Sequence, residues 1–302
     1  MDMEGKSIKD SFLEKWDKNT LDDRLTQFSD NFEEWFSQIP EDSKSIIATL
    51  ICKINYYPHQ TVNKALSDMH NKLITLDTEN INEDNTIFTF IKSKDGKSNS
   101  SNDYWTEYKW INRINNNLCF ENINAITSEQ WSYIKNIVFI DDFCGTGKSL
   151  KDGIENYRHS FVNKTVIVIT VDILKKAIEN LKHFADSIGF KIIVLSLYTS
   201  YSAFENDYFK DNEYAKEKTI SMSHEFNIPE TWIQGFQNSQ ALVVFYNNTP
   251  NNTLGFIWKD TNQYKSIFPR RSDNMPSWQK LQKDRKKRGY AKYNNAVQNN
   301  KG

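Results

Sequence analysis

Hydrophobic and polar residues follow two different periods along this chain. From about Ser11 to Thr75, apolar residues recur every three to four positions, first in LEKWDKNTLDDRLTQFSDNFEEWFSQI and then in DSKSIIATLICKI. This spacing is typical of amphipathic helices that bury one face. The pattern therefore predicts a helical N-terminal extension, which we place at residues 1–80.

After residue 80 the chain changes to short apolar runs separated by longer amphipathic segments. The apolar runs are TIFTFIKS, NIVFI, TVIVITVD and FKIIVLSLYT, and the segments between them are DYWTEYKWINRI, SLKDGIENYRHS and ILKKAIENLKHFADSIG. Strands that alternate with helices indicate βαβ units and a mainly parallel sheet flanked by helices. We therefore predict an α/β core at residues 81–268, in which an irregular stretch at 200–240 precedes one more strand, ALVVFYNN.

Composition supports a globular protein of this size. The chain has 302 residues, of which 38% are hydrophobic and 14% aromatic, which is more than a disordered chain carries. No run approaches the ~20 apolar residues of a membrane span, and the first residues are too polar for a signal peptide, so we expect a cytoplasmic protein. Cys52, Cys119 and Cys144 are too far apart to indicate a disulfide framework or a zinc site.

Charge is distributed unevenly, although the net charge is only -1. From Arg270 onward there are ten Lys and Arg residues against two Asp residues, so the preceding part of the chain is acidic. We interpret residues 269–302 as a basic, solvated and flexible tail, because basic ends are common and this one has few interleaved aromatic residues. The alternative is that the tail binds nucleic acid or an acidic partner.

The segment NIVFIDDFCGTGKSL, from Asn136 to Leu150, carries the most specific chemistry. Its GTGKS resembles a P-loop, but the glycine that a P-loop requires five positions before Gly147 is replaced by Asp142. A carboxylate at that position would repel phosphate. A P-loop NTPase therefore remains only a less favoured alternative.

The same segment fits a receptor for a ribose that carries a 5′-phosphate. It places Asp141 and Asp142 at the carboxyl end of a strand, where ligands of open α/β sheets collect. Backbone N–H groups of the following turn and helix would bind the phosphate. The two carboxylates would accept hydrogen bonds from ribose hydroxyls, and we expect both to face solvent.

IVFIDDFCGTGKSL resembles the signature of type I phosphoribosyltransferases, in which a hydrophobic strand and two acids precede a Thr-Gly-x-Thr/Ser turn. The resemblance implies that fold, chemistry at C1′ of the ribose, and Mg²⁺ bound with the substrate. It assigns the ribose hydroxyls to Asp141 and Asp142. It assigns the 5′-phosphate to Cys144, Gly145, Thr146, Gly147, Lys148 and Ser149.

A second resemblance extends from about Trp16 to Arg271. The helical N-terminal segment, the motif above, GFQNSQALVVFYNNTPNNTLGFIW and IFPRR are similar to the PRTase-CE family of bacterial conflict systems. Gly255 stands where we would expect proline. The resemblance implies an effector of an antiphage system, in some cases a retron, that acts on nucleotides. It also implies partners such as a reverse transcriptase or a winged-helix protein.

Several weaker features lie around the motif. IKSKDGKSNSSNDYW follows the first core strand, where the resemblance to type I phosphoribosyltransferases places the loop that binds pyrophosphate. It assigns the pyrophosphate to Lys92, Ser93 and Lys94, although an exposed turn has the same composition. Cys144 has no evident base partner and is better interpreted as packing than as a nucleophile. The amides of NNTPNNTLGFIW would bind a ligand or form a rigid turn between two strands, and Trp232 is a candidate for stacking on a base.

Two functions remain open from the sequence. The protein is either an enzyme that acts at C1′ of a 5′-phosphorylated ribose, such as phosphoribosyl pyrophosphate or a nucleotide, or a degenerate module that senses a nucleotide and regulates partner proteins. Turnover with Mg²⁺ would distinguish the first from the second.

Overall fold

A computed structural model describes residues 3–16, 22–76, 80–92 and 100–270, with side chains from Ile8 onward. The helices in these ranges are α1 (Met3–Trp16), α2 (Asp23–Ser37), α3 (Lys44–Lys53), α4 (His59–Ile74), α5 (Ser100–Asn112), α6 (Ser128–Tyr133), α7 (Lys148–Glu155), α8 (Arg158–Phe161), α9 (Lys175–Ile188), α10 (Asn212–Glu225), α11 (Glu230–Ile233) and α12 (Gly255–Trp258). The strands are β1 (Asn55–Tyr57), β2 (Thr86–Phe90), β3 (Asn136–Cys144), β4 (Thr165–Leu174), β5 (Lys191–Ser200) and β6 (Val243–Phe245).

The main sheet is parallel and has the order β2-β3-β4-β5. Every residue of β2 and β3 is buried, as is β4 after its first residue. Such burial is typical of parallel strands covered on both faces. Helices α4 and α5 pack against each other and the sheet, and α9 packs against α8, β4 and β5. This arrangement confirms the predicted α/β class with a mainly parallel sheet flanked by helices.

Strand β3 extends further than the sequence pattern indicated. We expected a strand over NIVFI, but β3 continues through Asp141, Asp142 and Phe143 to Cys144. The reason is that β4 is also long, so that Asp141 pairs with Thr170 and Phe143 with Asp172. The two acidic residues therefore lie inside the last part of a strand rather than beyond its end.

A second, two-stranded parallel sheet pairs β1 with β6. The N-terminal segment that we predicted as helical thus contains a strand, which is too short to show a period of its own. Helices α1–α3 share a hydrophobic core with residues between 203 and 268, including Phe28, Leu50, Phe226 and Phe256. The boundaries that we placed at residues 80 and 268 stay predictions, and residues 271–302, which make up nearly all of the predicted tail, lie outside the described ranges.

The NNTPNNTLGFIW segment forms a turn followed by α12, not a turn between two strands. Phe256 and Trp258 of α12 are buried, as expected for core residues. At Gly255, where the resemblance led us to expect proline, an added Cβ would lie 2.4 Å from the carbonyl oxygen of Trp232. Close packing against α11 therefore explains the glycine. None of the helices described is long and apolar enough to cross a membrane.

Candidate functional site

Asp141 and Asp142 lie at the end of β3 against the first turn of α5. The Ser101 hydroxyl donates a hydrogen bond of 2.6 Å to Asp141 Oδ1, and the Ser100 hydroxyl donates one of 3.2 Å to Asp142 Oδ1. The backbone N–H of Asp142 also donates to Asp141 Oδ1, at 2.9 Å. The N-terminal end of a helix favours negative charge, so α5 both holds the two carboxylates and stabilises them.

Both carboxylates are buried, which corrects our expectation that they face solvent. Asp141 is 7% exposed and Asp142 is 8% exposed. The physical reason is that β3 continues past them and α5 covers them. Burial, followed by the negative charge of Asp142, raises the pKa of Asp141 well above its ordinary value. Asp141 therefore holds a proton more readily than an exposed carboxyl group, and a cation or a hydrogen-bond donor at the site would favour its ionised form.

The turn after β3 leads directly into α7. Gly147 caps the helix in the left-handed conformation, with φ of 75°. The Asn180 side chain of α9 donates a hydrogen bond of 3.2 Å to the carbonyl oxygen of Thr146. A Cβ at Gly147 would lie 2.9 Å from Leu181. The glycine is therefore required by its φ and by packing on α9.

A cavity of about 140 Å³ brings Asp141 together with this turn. Its lining also includes residues from other elements, namely Ile91, Phe236, Asn251 and Asn252. All six residues to which the sequence assigned the 5′-phosphate, Cys144 through Ser149, line this cavity. Both acids contact α5, but Asp142 is not part of the cavity lining. The structure therefore separates the two acids that the sequence treated as an equivalent pair.

A larger cavity of about 690 Å³ adjoins the first one at Lys148, Ser149 and Leu150. Lys92 is exposed and lines this larger cavity, whereas Ser93 and Lys94 lie outside the described residues. The segment predicted to bind pyrophosphate begins at this cavity and ends where Ser100 and Ser101 contact the acidic pair. Both of its ends are thus at the candidate site.

Lys148 stands between the cavities. Its Nζ lies 3.0 Å from Asp152 Oδ2, one helical turn further along α7, and the ammonium group is partly exposed. Its backbone N–H donates to Thr146 Oγ1 at 3.3 Å. The position that a P-loop requires to be glycine is the buried strand residue Asp142, which agrees with the weak match to that motif.

Cys144 is buried at the base of the turn. Burial, together with the neighbouring Asp141, raises the pKa of its thiol to about 12. The thiol therefore stays protonated at neutral pH and is a poor nucleophile. This supports its interpretation as a packing residue.

Sequence reasoning missed several residues of the site. Ser100 and Ser101 could have been found as hydroxyls in the first turn of a helix that follows a glycine-containing loop. Asn252 had a weaker signal in the sequence. Its side chain packs so closely on the turn that a Cβ at Gly145 would lie 2.3 Å from it.

Trp232 does not line any of the cavities at the turn and instead packs edge-on against Trp258, with ring centroids 5.5 Å apart. Our suggestion that it stacks on a base is therefore not supported.

Metal ligands are sparse in the part of the chain that the structure describes. It contains no group of three or more His, Cys, Asp or Glu side chains placed to hold a metal ion. Mg²⁺ is often bound by one or two carboxylates together with substrate phosphates and water. The oxygens of Asp141 at the cavity fit that mode of binding, whereas a site built from protein ligands alone does not fit.

Comparison with known proteins agrees with the motif and the fold. The profile of the PRTase-CE family matches residues 32–270, which include all the elements from β1 to α12. No curated protein matches the chain, and no solved structure does. Because the matched region is well over half of the sequence, the chain belongs to the PRTase-CE family and is phosphoribosyltransferase-like.

Proposed function

We propose that this protein binds a 5′-phosphorylated ribose, as phosphoribosyl pyrophosphate or a nucleotide, and makes or breaks the bond at C1′. The observation that carries the proposal is the cavity lined both by Asp141 and by the whole turn from Cys144 to Ser149. Backbone N–H groups at the start of α7 suit a phosphate. A carboxylate next to them suits the hydroxyls of the attached ribose.

Charge explains how such a site would assist the reaction. Bond cleavage at C1′ develops positive charge on the ribose ring, so preorganised negative charge stabilises the transition state. Asp141 and Asp142 supply this charge from a buried position, and Ser100 and Ser101 fix their orientation. Lys92, with Ser93 and Lys94, would bind a departing pyrophosphate.

Mg²⁺ belongs to the same proposal. When bound, it would neutralise the phosphate oxygens of the ligand. Asp141 would contribute one protein oxygen to it, and the positive charge of the ion would favour the ionised carboxylate, against the burial that raises the pKa of Asp141.

A second candidate function is a module that binds a nucleotide without consuming it. The observation in its favour is the burial of Asp141, whose raised pKa weakens the negative charge that stabilisation of a positive ribose ring requires. In this case the bound nucleotide would regulate partner proteins. Consumption of the ligand distinguishes the two functions.

The biological setting that we propose comes from the family resemblance. The protein would be an effector of an antiphage system, such as one of the retron type, together with a reverse transcriptase or a winged-helix protein. It would act in the cytoplasm. Nucleic acid would bind through the basic residues beyond 270.

We test ligand binding with Asp141→Asn, which removes charge and keeps shape. Isothermal titration of phosphoribosyl pyrophosphate and of a nucleoside monophosphate, each with Mg²⁺, should show affinity reduced at least tenfold, since a charge-assisted hydrogen bond is worth ~1.5–3 kcal/mol. The exposed Asp186→Asn on α9 is the matched control and should bind like the wild type.

Retention of wild-type affinity by Asp141→Asn would remove this residue from the site. Because Asp141 is buried, thermal unfolding of the variant is measured in parallel. We expect little loss of stability, since the variant also removes the repulsion between Asp141 and Asp142. The Asp142→Asn variant should affect turnover more than binding, because Asp142 does not line the cavity.

A further inference from the structure

A third cavity, of about 320 Å³, lies beside the turn and shares Lys148 and Asp152 with the larger one. Three of its lining residues, Gly145, Thr146 and Lys148, also line the cavity that contains Asp141. The two cavities therefore adjoin at the part of the turn where a 5′-phosphate would bind. Nothing in the proposed reaction at C1′ uses this additional space.

Lysine side chains from two helices converge on this third cavity. Lys148 and Lys151 lie one turn apart on α7, and Lys176 lies near the start of α9. Asn180, one turn after Lys176, donates its hydrogen bond to Thr146 and so fixes this face of α9 against the turn. This contact therefore holds the start of α9, which carries Lys176, beside the turn.

The balance of charge favours an anion. Asp152 contributes a carboxylate to the lining of this third cavity, and this carboxylate pairs with Lys148. Within the described parts of the chain, Lys151 and Lys176 form no ion pair, although Lys151 lies over the ring of Phe184. Two positive charges therefore remain uncompensated beside the turn.

Another part of the cavity lining is a strained backbone segment whose side chains carry amide groups. Gln237 and Asn238 have φ of 55° and 53°, and both line the cavity. Non-glycine residues are strained in the left-handed region, and such positions concentrate at ligand sites. Side-chain amides donate hydrogen bonds to phosphate oxygens.

We propose that the third cavity binds a second phosphoryl group attached to the 5′-phosphate. The ligand would then carry a 5′-pyrophosphate group, as nucleoside diphosphates and dinucleotides with a pyrophosphate bridge do. This inference rests on the proposed function, because it takes the first phosphate to lie in the turn. It adds that a second phosphoryl group lies beside the first, next to Lys151, Lys176 and residues 237–238.

The test compares a nucleoside 5′-monophosphate with its 5′-diphosphate by isothermal titration of the full chain. The wild type should bind the diphosphate at least tenfold more tightly. The double variant Lys151→Gln, Lys176→Gln should lose this preference while its affinity for the monophosphate changes less than twofold. Lys182→Gln, an exposed lysine on α9 outside the cavity lining, is the control and should keep the preference.

Equal wild-type affinity for the two nucleotides would overturn the inference and leave the proposed function standing. An equal loss for both nucleotides in the double variant would overturn it as well. Inorganic tripolyphosphate separates it from the ribose proposal. Binding of tripolyphosphate that depends on Lys151 and Lys176 but not on Asp141 would support the anion site even where no nucleotide binds. If neither tripolyphosphate nor a nucleotide binds, the inference fails.

Discussion

At the scale of single residues, the two glycines associated with α7 have opposite requirements. Gly147 caps the helix with φ of 75°, and an added Cβ would lie 2.9 Å from Leu181. Gly153 lies inside the same helix, and an added Cβ there would have no atom within 4 Å. One position therefore needs glycine for the fold, whereas the other does not.

We predict that Gly147→Ala destabilises the protein by about 1–3 kcal/mol, because alanine is strained at positive φ and would displace Leu181. Gly153→Ala should instead stabilise it by up to ~1 kcal/mol, because alanine favours helix and loses less entropy on folding. Urea unfolding at one temperature measures both. Similar stabilities of the two variants would contradict this account of the turn.

At the scale of elements, a buried network at the carboxyl end of β4 joins the main sheet to β1. Asp172 is fully buried, and its Oδ2 accepts hydrogen bonds from Tyr57 of β1 at 2.7 Å and from Ser200 of β5 at 2.6 Å. Burial raises the pKa of Asp172 to about 6, against the opposing effect of these donors. Burial and the charge of Asp172 also raise the pKa of Tyr57, which therefore stays protonated.

This raised pKa predicts a pH dependence of stability. A carboxyl group with a higher pKa in the folded state binds its proton more tightly when folded. Asp172 therefore contributes its full stabilisation of the folded state below its ordinary pKa of 3.8. This contribution is lost as the pH rises through about 6, the pKa of Asp172 in the folded protein. The shift corresponds to a loss of roughly 3 kcal/mol.

Urea unfolding between pH 4.5 and 7.5 should show that Asp172→Asn gains stability relative to wild type as the pH rises. Asp141 changes stability in the same direction, but it is present in both proteins and cancels in the difference. Asp186→Asn, at an exposed position, should follow the wild-type profile. Parallel profiles for wild type and Asp172→Asn would show that Asp172 does not titrate in this range.

The sequence predicted the elements whose signals are local. The core strands are continuous apolar runs such as TVIVITVD, and the phosphate turn follows one of them directly. β1 was missed because Asn55–Tyr57 is too short to show alternation and follows α3 closely. The burial of Asp141 was missed because it depends on α5, which is distant in sequence. For the same reason the contact of Asn252 with Gly145 had no local signal.

At the scale of the whole molecule, Arg24 ties the N-terminal helices to the end of the described chain. It is 6% exposed, and its guanidinium donates to the carbonyl oxygen of Phe245, to Thr249 Oγ1 and to the carbonyl oxygen of Pro269. These contacts link α2, β6 and the segment after α12. A buried charge is tolerated here because several acceptors surround it.

We predict that Arg24→Met destabilises the protein by about 2–4 kcal/mol, since it leaves buried acceptors without a donor. Arg158→Met is the control: Arg158 is partly exposed and pairs with Glu155 at 3.2 Å, so its loss should change stability by no more than about 0.5 kcal/mol. Thermal unfolding of both variants provides the measurement. An Arg24→Met protein as stable as the control would mean that the N-terminal helices are held by apolar packing alone.

The pairing of β1 with β6 also means that most of the chain must be present before the small sheet can form. Asn55 pairs with Val243, so the small sheet closes a loop that contains the entire main sheet. Contacts between residues so distant in sequence form slowly, because the chain loses much conformational entropy before these contacts begin to stabilise it. During synthesis the apolar faces of α2 and α3 therefore lack their packing partners until residues 203–268 have emerged from the ribosome. In that interval we expect chaperones to bind these exposed apolar faces, which are otherwise prone to aggregate.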